Sequence, residues 1–147
     1  RDRYVNPTIC NEAVIYADSE LLNRYDVSIL NVDFLETANV LNEGRCFFYF
    51  DPPFRPLSAT SSFNSYVKEE FGDERQKELA DFCRCLSKKE NVKWMLSNAD
   101  CSAKNPEDLF FETIYDGFNI HRVYASRSVN ADASKRGKLT ELLITNY

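Results

Sequence analysis

Glycine is scarce in this chain: four residues in 147 (Gly44, Gly72, Gly117 and Gly137), each isolated. A glycine-rich phosphate loop or a G-x-G-x-x-G turn needs clustered glycines, so a complete nucleotide-binding half is excluded. Histidine occurs once, as His121, and the five cysteines (Cys10, Cys46, Cys83, Cys85 and Cys101) include no C-x-x-C pair. Such a donor set disfavours zinc, so no metal is expected, and an odd number of thiols fits a reduced cytosol. No apolar run approaches the roughly 20 residues that span a bilayer, and no charged-then-apolar leader opens the chain. Neither a membrane nor a secreted location is expected. Positive charge is in deficit too, with 18 Lys and Arg against 23 Asp and Glu and a net charge of -5. A free-standing nucleic-acid binder is usually basic, and this total argues against one.

What is present is the composition of a single globular domain with a real core: 44% apolar, 14% aromatic and 28% charged residues. The chain opens at Arg1 and its one methionine is Met95, the pattern expected of a truncated product or part of a longer protein. Short β-rich runs predict strands over 27–32, 46–50, 92–96, 120–126 and 139–145. Between the second and third lies a helix that Asp73 can cap, with Gln76 at the capping-box position and Leu79, Phe82, Cys83 and Leu86 on one apolar stripe. A second helix is expected over 106–115, and a short one over 19–22. Strands alternating with helices until the last two meet without one predict an α/β fold, a mostly parallel sheet finished by a hairpin. Residues 55–65, rich in Ser, Thr and Pro, are the most loop-like stretch.

The run Cys46-Phe47-Phe48-Tyr49-Phe50 is continuously apolar and stops abruptly at Asp51-Pro52-Pro53-Phe54. Ligand sites in open α/β sheets lie beyond the carboxyl ends of strands, where this tetrapeptide sits. A polar-Pro-Pro-aromatic sequence arises by chance in roughly one chain of this length in two hundred. Two prolines can simply end a strand, with Asp51 bonding its own turn and Phe54 in the core. The chemistry of the four residues also suits another task. The lone pair of an exocyclic amine on a nucleobase is delocalised into the ring, so an enzyme that alkylates it must hold the amine protons with acceptors. The Asp51 carboxylate and the Pro52 carbonyl, held by fixed φ angles, can accept those two bonds while Phe54 offers a face for stacking.

This tetrapeptide resembles the catalytic motif of the amino-group DNA methyltransferases, (Asp/Asn/Ser)-Pro-Pro-(Tyr/Phe/Trp), and more closely that of the Dam type, which methylates adenine. Pro56, Leu57, Ser58, Thr60, Phe63 and Tyr66 fall on that family's Pro-Leu-Ser-x-Thr-x-x-Phe-x-x-Tyr continuation. Leu96-Ser97-Asn98 resembles its strand-end Ser-Asn. Arg127-Ser128-Val129 with Arg136, Glu141 and Leu142 resembles its C-terminal hairpin. Asp33 can simply cap a turn with Phe34 in the core, but the pair also matches the place where the family holds the adenine of S-adenosylmethionine, and Arg3-Tyr4 with Pro7 resembles the segment closing its target-recognition region. The likeness covers nearly the whole chain.

The resemblance implies the C-terminal half of a Rossmann-like methyltransferase fold with helices on both faces of the sheet. Residues 1–26 would be a remnant of the target-recognition region and connecting helix, and 27–147 the C-terminal half of the catalytic domain. It implies methyl transfer from S-adenosylmethionine to adenine flipped from duplex DNA, in a restriction-modification or Dam-like role, in a bacterial-type cytoplasm at the nucleoid. Asp51, Pro52, Pro53 and Phe54 would be catalytic, and Asp33, Phe34 and Asp51 would bind the cofactor. Arg3, Tyr4, Ser58, Thr60, Asn98, Arg127, Lys135 and Arg136 would contact DNA. Residues 120–140 carry five basic side chains against Asp132 alone, either a solvated loop or a phosphate-contacting one.

Three departures accompany the likeness. The family's glycine-rich methionine-binding loop and the lysine segment before it have no counterpart here, so the chain alone is expected to be inactive. Phe54 replaces the commoner Tyr, which keeps stacking and loses a hydroxyl contact. Ala99 and Asp100 follow Asn98 where close relatives carry other polar residues. Two alternatives stand beside this reading: a catalytically dead interaction module of the same fold, and the same amine chemistry on RNA or protein. His121 is expected to be a strand or surface residue, Trp94 a core residue, and Cys83 and Cys85 to point to different sides of a helix.

Overall fold

The apolar run at 46–50 forms strand β1 (Cys46–Phe50) with the boundaries its composition predicts, because the prolines at 52 and 53 have no N–H to continue a ladder. The computed structural model describes residues 10–41, 43–57, 71–126 and 138–147. Three further strands, β2 (Val92–Ala99), β3 (Asn119–Ser126) and β4 (Lys138–Thr145), join β1 in one sheet of order β1-β2-β4-β3. Strand β1 runs parallel to β2 with Phe50 opposite Leu96, whereas β4 is antiparallel to both β2 and β3.

The expectation of a mostly parallel sheet is therefore corrected: among the described strands one pairing of three is parallel. The physical reason lies in the hairpin. Leu142, Ile144 and Thr145 of β4 are buried, and its Leu143 is half-buried, as a central strand requires. By contrast, β3 carries exposed Asn119, His121, Arg122, Val123 and Tyr124, the pattern of an edge. The second strand of the hairpin thus takes the inner place, and it can only arrive antiparallel.

Helix α2 (Asp73–Leu86) crosses one face of the sheet. Its predicted stripe of Leu79, Phe82, Cys83 and Leu86 is buried there against Phe50, Trp94, Leu96, Leu142 and Ile144 in one core cluster. Gly72 rather than Asp73 is the N-cap, and Asp73 and Glu74 occupy the first turn, where carboxylates favour the helix dipole. The predicted helix at 106–115 forms only over its second half, as α4 (Phe110–Ile114), and a separate short helix, α3 (Cys101–Lys104), precedes it. Asn105 and Asp108 divert the chain between them by accepting from the backbone N–H groups of Glu107 (3.3 Å) and Phe110 (3.3 Å), local bonds that compete with helix. Gly117, at φ +87, turns the chain toward β3 in a conformation that favours glycine.

Side chains alternate across the sheet, so the register sorts them into two faces. Phe48, Phe50, Trp94, Leu96, Leu142 and Ile144 meet α2 and the aromatic cluster of Phe111, Tyr115 and Phe118. The other face presents Phe47 and Tyr49, both more than half exposed, together with Lys93. Helices on both faces were expected; the ring contacts of Phe82 with Phe50 and of Tyr115 with Trp94 place α2 and the end of α4 on the same face. Trp94 is fully buried, as predicted for a core residue, and its indole N–H donates to Ser87 Oγ at 2.8 Å.

Residues Arg1–Val32 and Asp33–Tyr147 form two separate compact units. In the first, helix α1 runs over Glu12–Arg24, longer than the short helix predicted at 19–22, because Asn11 caps it and Glu12 and Arg24 match its dipole at the two ends. The predicted strand at 27–32 is not formed. A strand exists only against a ladder partner, and this segment is not among the four paired strands; its Val27, Ile29, Leu30 and Val32 are exposed. No described helix is long and apolar enough to cross a membrane.

Trp94→Ala removes the largest side chain of the core and leaves Ser87 without its donor. A loss of about 3–5 kcal/mol is expected in chemical denaturation, and a loss below about 1 kcal/mol would show that the core is organised around other residues.

Candidate active site

Past Phe50 the chain leaves the sheet at Asp51. The pairing of Phe50 with Leu96 brings Asp51 alongside Ser97, on the same side of the sheet as Tyr49. Tyr49 OH donates to Ser97 Oγ at 3.1 Å, and Ser97 Oγ donates to Asp51 Oδ1 at 2.9 Å. Ser97 is buried while Asp51 is exposed, so a fixed hydroxyl orients an accessible carboxylate. Among the described residues, Asp51 Oδ2 has no hydrogen-bond partner.

The rest of the turn is gripped from behind. Gln76 Nε2, on the first turns of α2, donates to the Pro53 carbonyl at 2.9 Å. Asn98 Nδ2, near the end of β2, donates to Gln76 Oε1 at 3.2 Å. Asn98 Oδ1 accepts from the backbone N–H groups of Arg55 (3.1 Å) and Ala99 (2.9 Å). Both amides are buried. The Arg55 guanidinium then ties the turn to two neighbouring elements, through Asp73 at 2.8 Å and Asp108 at 2.6 Å, and lies over the Phe110 ring. The hydrogen bond to Asp73, with Asp108 behind it, raises the Arg55 pKa further and keeps the group charged.

A cavity of about 190 Å³ opens beside the turn, lined by Phe34, Tyr49, Phe50, Asp51, Pro52, Phe71 and Leu79. Its aromatic wall is set by Asp33, whose Oδ1 accepts from Leu35 N at 3.0 Å and so caps the 3-10 helix Phe34–Val40. Asp33 also pairs with Arg75, whose guanidinium stacks over Phe34. Phe34 meets Phe71 and Phe82 edge-on. The Leu35 N–H, and behind it the Arg75 guanidinium, hold the Asp33 carboxyl below its ordinary 3.8 against an opposing desolvation effect.

Of the residues singled out in the sequence, Phe34, Asp51 and Pro52 line one cavity, and Pro53 is held behind it. Phe54 is half-buried against the core. Asn98, expected among the DNA contacts, is corrected: it is fully buried, and its side chain is occupied by Arg55, Ala99 and Gln76. Arg3, Tyr4, Ser58, Thr60, Arg127, Lys135 and Arg136 lie outside the described residues. Sequence reasoning missed Tyr49 as a partner of the site and gave Gln76 a capping role it does not play. The signal for Gln76 was available, since it precedes Leu79, Ala80 and Cys83 at helical spacing and is the polar member of a buried stripe.

Comparison with known proteins gives the family. Residues 1–129 match the D12 class N6 adenine-specific DNA methyltransferase family. The chain is 41% identical over 145 residues to the type II methyltransferase M1.LlaDCHI of Lactococcus lactis subsp. cremoris, covering 99% of this chain and 48% of that protein. It is 44% identical over 146 residues to the type II methyltransferase M.MjaIII of Methanocaldococcus jannaschii, covering 99% and 47%. With the DNA adenine methylase of Haemophilus influenzae it shares 34% identity over 95 residues, 65% of this chain and 31% of that one. The chain thus spans about half the length of the first two relatives. No solved structure matches it.

The lowered Asp33 pKa gives its pairing a definite pH dependence. The unfolded carboxyl titrates at 3.8 and the folded one below it, so the contribution is present above pH 3.8 and is lost as the pH falls through the folded value. Denaturation midpoints of the native sequence and Asp33→Asn are expected to differ most near neutrality and to converge as the pH falls below the ordinary carboxylate range. A gap that persists in acid would mean that the pair with Arg75 is not what the substitution removes.

Proposed function

Because the chain belongs to the D12 class of N6 adenine-specific DNA methyltransferases, we propose that its turn at Asp51 to Phe54 is the amine-holding corner of an enzyme that methylates adenine in duplex DNA. The observation that carries this reading is the Asp51 carboxylate: one oxygen is fixed by Ser97, the other is open, and the group stands exposed at the lip of an aromatic cavity.

The two N–H groups of the target amine need two acceptors. Asp51 Oδ2 is one and the Pro52 carbonyl is the other. Accepting both hydrogen bonds draws electron density back onto nitrogen and takes its lone pair out of conjugation with the ring. The Ser97 hydroxyl keeps the carboxylate in place, so no reorganisation is required when the base arrives. Phe54 stacks on a base taken out of the duplex, and Pro53 stiffens the turn between acceptor and ring. No covalent bond between protein and base is needed.

The residues present fit S-adenosylmethionine in part. The cavity has flat aromatic walls at Phe34 and Phe71 and a single carboxylate at its rim, a lining suited to a purine ring. Phe34 would hold the purine end, with Asp33 acting through the capped and stacked Phe34, and Asp51 would meet the cofactor at the rim, beside the amine that receives the methyl. When bound, the cofactor supplies an electrophilic methyl on a sulfonium. The sheet with its parallel β1–β2 pair and terminal hairpin is taken as the C-terminal half of a Rossmann-like catalytic domain. Arg3, Tyr4, Ser58, Thr60, Arg127, Lys135 and Arg136 are the proposed DNA contacts, in a cytoplasmic enzyme of restriction-modification or Dam-like role.

The test uses the full-length enzyme, labelled S-adenosylmethionine and duplex DNA. Asp51→Ala is expected to slow methyl transfer by about 10²–10³-fold, as loss of a preorganised polar contact does elsewhere. An unchanged rate would remove Asp51 as the acceptor. The 147 residues alone are expected to transfer no methyl group, and measurable transfer by them would contradict the division of labour proposed here.

A further inference from the structure

Two polar residues stand where the local pattern favours apolar ones. Gln76 occupies the buried stripe of α2, and Asn98 is fully buried in β2, an inner strand of the sheet. Such breaks in an otherwise consistent sequence concentrate at functional sites.

Their bonds run in one direction. The Arg55 N–H donates to Asn98 Oδ1, Asn98 Nδ2 donates to Gln76 Oε1, and Gln76 Nε2 donates to the Pro53 carbonyl. The Pro53 carbonyl belongs to the peptide before Phe54 and the Arg55 N–H to the peptide after it. One Gln–Asn pair therefore closes a ring around Phe54. Neither amide can be flipped, because a backbone carbonyl can only accept and a backbone N–H can only donate.

The proline rings fix φ at 52 and 53 but leave ψ of Pro53 and both dihedrals of Phe54 open. Those are the angles the ring of bonds restrains. We propose that Gln76 and Asn98 are positioning residues for methyl transfer: they pin both peptides flanking Phe54, which sets the stacking ring and leaves the Pro52 carbonyl, not that of Pro53, as the free acceptor. The proposal rests on the amine-holding reading of the turn. Neither residue touches the base.

The full-length enzyme distinguishes the two. Gln76→Met keeps length and apolar bulk while losing both bonds. In folded enzyme, verified by circular dichroism, it is expected to lower the single-turnover transfer rate about 10- to 100-fold. KM for S-adenosylmethionine should stay within about threefold, since only the geometry of the turn is disturbed. Gln76→Glu keeps the acceptor for Asn98 but sets an acceptor against the Pro53 carbonyl, and only its protonated form can restore the bond. The charged groups of the packed elements are already engaged, Arg55 with Asp73 and Asp108, and Asp100 with Arg122. Burial raises a carboxyl pKa, so this variant is expected to be slow near pH 8.5 and to recover toward the native rate as the pH falls to about 6.

A folded Gln76→Met enzyme at the native rate, or a Gln76→Glu profile parallel to the native one, overturns the clamp and leaves the amine-holding reading intact. If Gln76→Met does not fold, the Gln76→Glu profile decides alone. A native full-length enzyme that transfers no methyl overturns that reading, and the kinetic role of the clamp with it.

Discussion

A strand that runs into two prolines loses its ladder, and the peptide groups beyond it must find partners elsewhere. Here those partners are the buried side-chain amides of Gln76 and Asn98, one from a helix and one from the neighbouring strand. The position of α2 against the sheet, the end of β2 and the path of residues 51–55 all meet in this contact. An apolar residue at either place would leave a backbone group of the turn without its protein partner.

The parallel register of β1 and β2 does the rest of the placement. With Phe50 opposite Leu96, Asp51 falls beside Ser97 and Arg55 reaches Asn98. A slip of one residue would exchange the two faces, turning Phe48 and Phe50 out of the core and the carboxylate away from the serine. The ion pairs farther out brace this arrangement. Arg55 joins the turn to the start of α2 and to the loop before α4. Arg122 joins β3 to the buried Asp100 and to Glu112. An acidic chain can thus hold a polar, charged corner together because Arg55, Arg75 and Arg122 are each shared between two carboxylates.

Much of the framework was legible from composition and periodicity. Strand β1 and the stripe of α2 could be placed from the pattern alone, since a continuous apolar run and an i, i+3, i+4, i+7 spacing each fit one local geometry. The segment at 27–32 has the same β-rich composition as β1 and forms no strand, because a ladder depends on a partner and not on propensity. The helix expected at 106–115 forms only over 110–114 for a local reason that was visible, the bonding capacity of Asn105 and Asp108. Gln76 was misread because a glutamine three residues after Asp73 satisfies the capping-box spacing whether its side chain turns back to the helix end or inward. The resemblance put Asn98 among the DNA contacts, and its burial was not legible because a polar residue at a strand end is as compatible with an exposed edge as with a buried bond.

Residue chemistry and chain order by themselves determined where β1 ends, which carboxylate and carbonyl stand beyond it, and which face of α2 is apolar. Each is decided by neighbours a few residues apart. Tertiary structure decided the rest: that β4 and not β3 lies beside β2, that Asp51 keeps one oxygen free, and that Pro53 is bound from behind. Those outcomes turn on hydrogen bonds between residues 46 apart for Ser97 and Asp51, 22 apart for Asn98 and Gln76, and 23 apart for Gln76 and Pro53. A donor chooses its acceptor by where packing leaves the two, and that choice exists only once helix and sheet have been brought together.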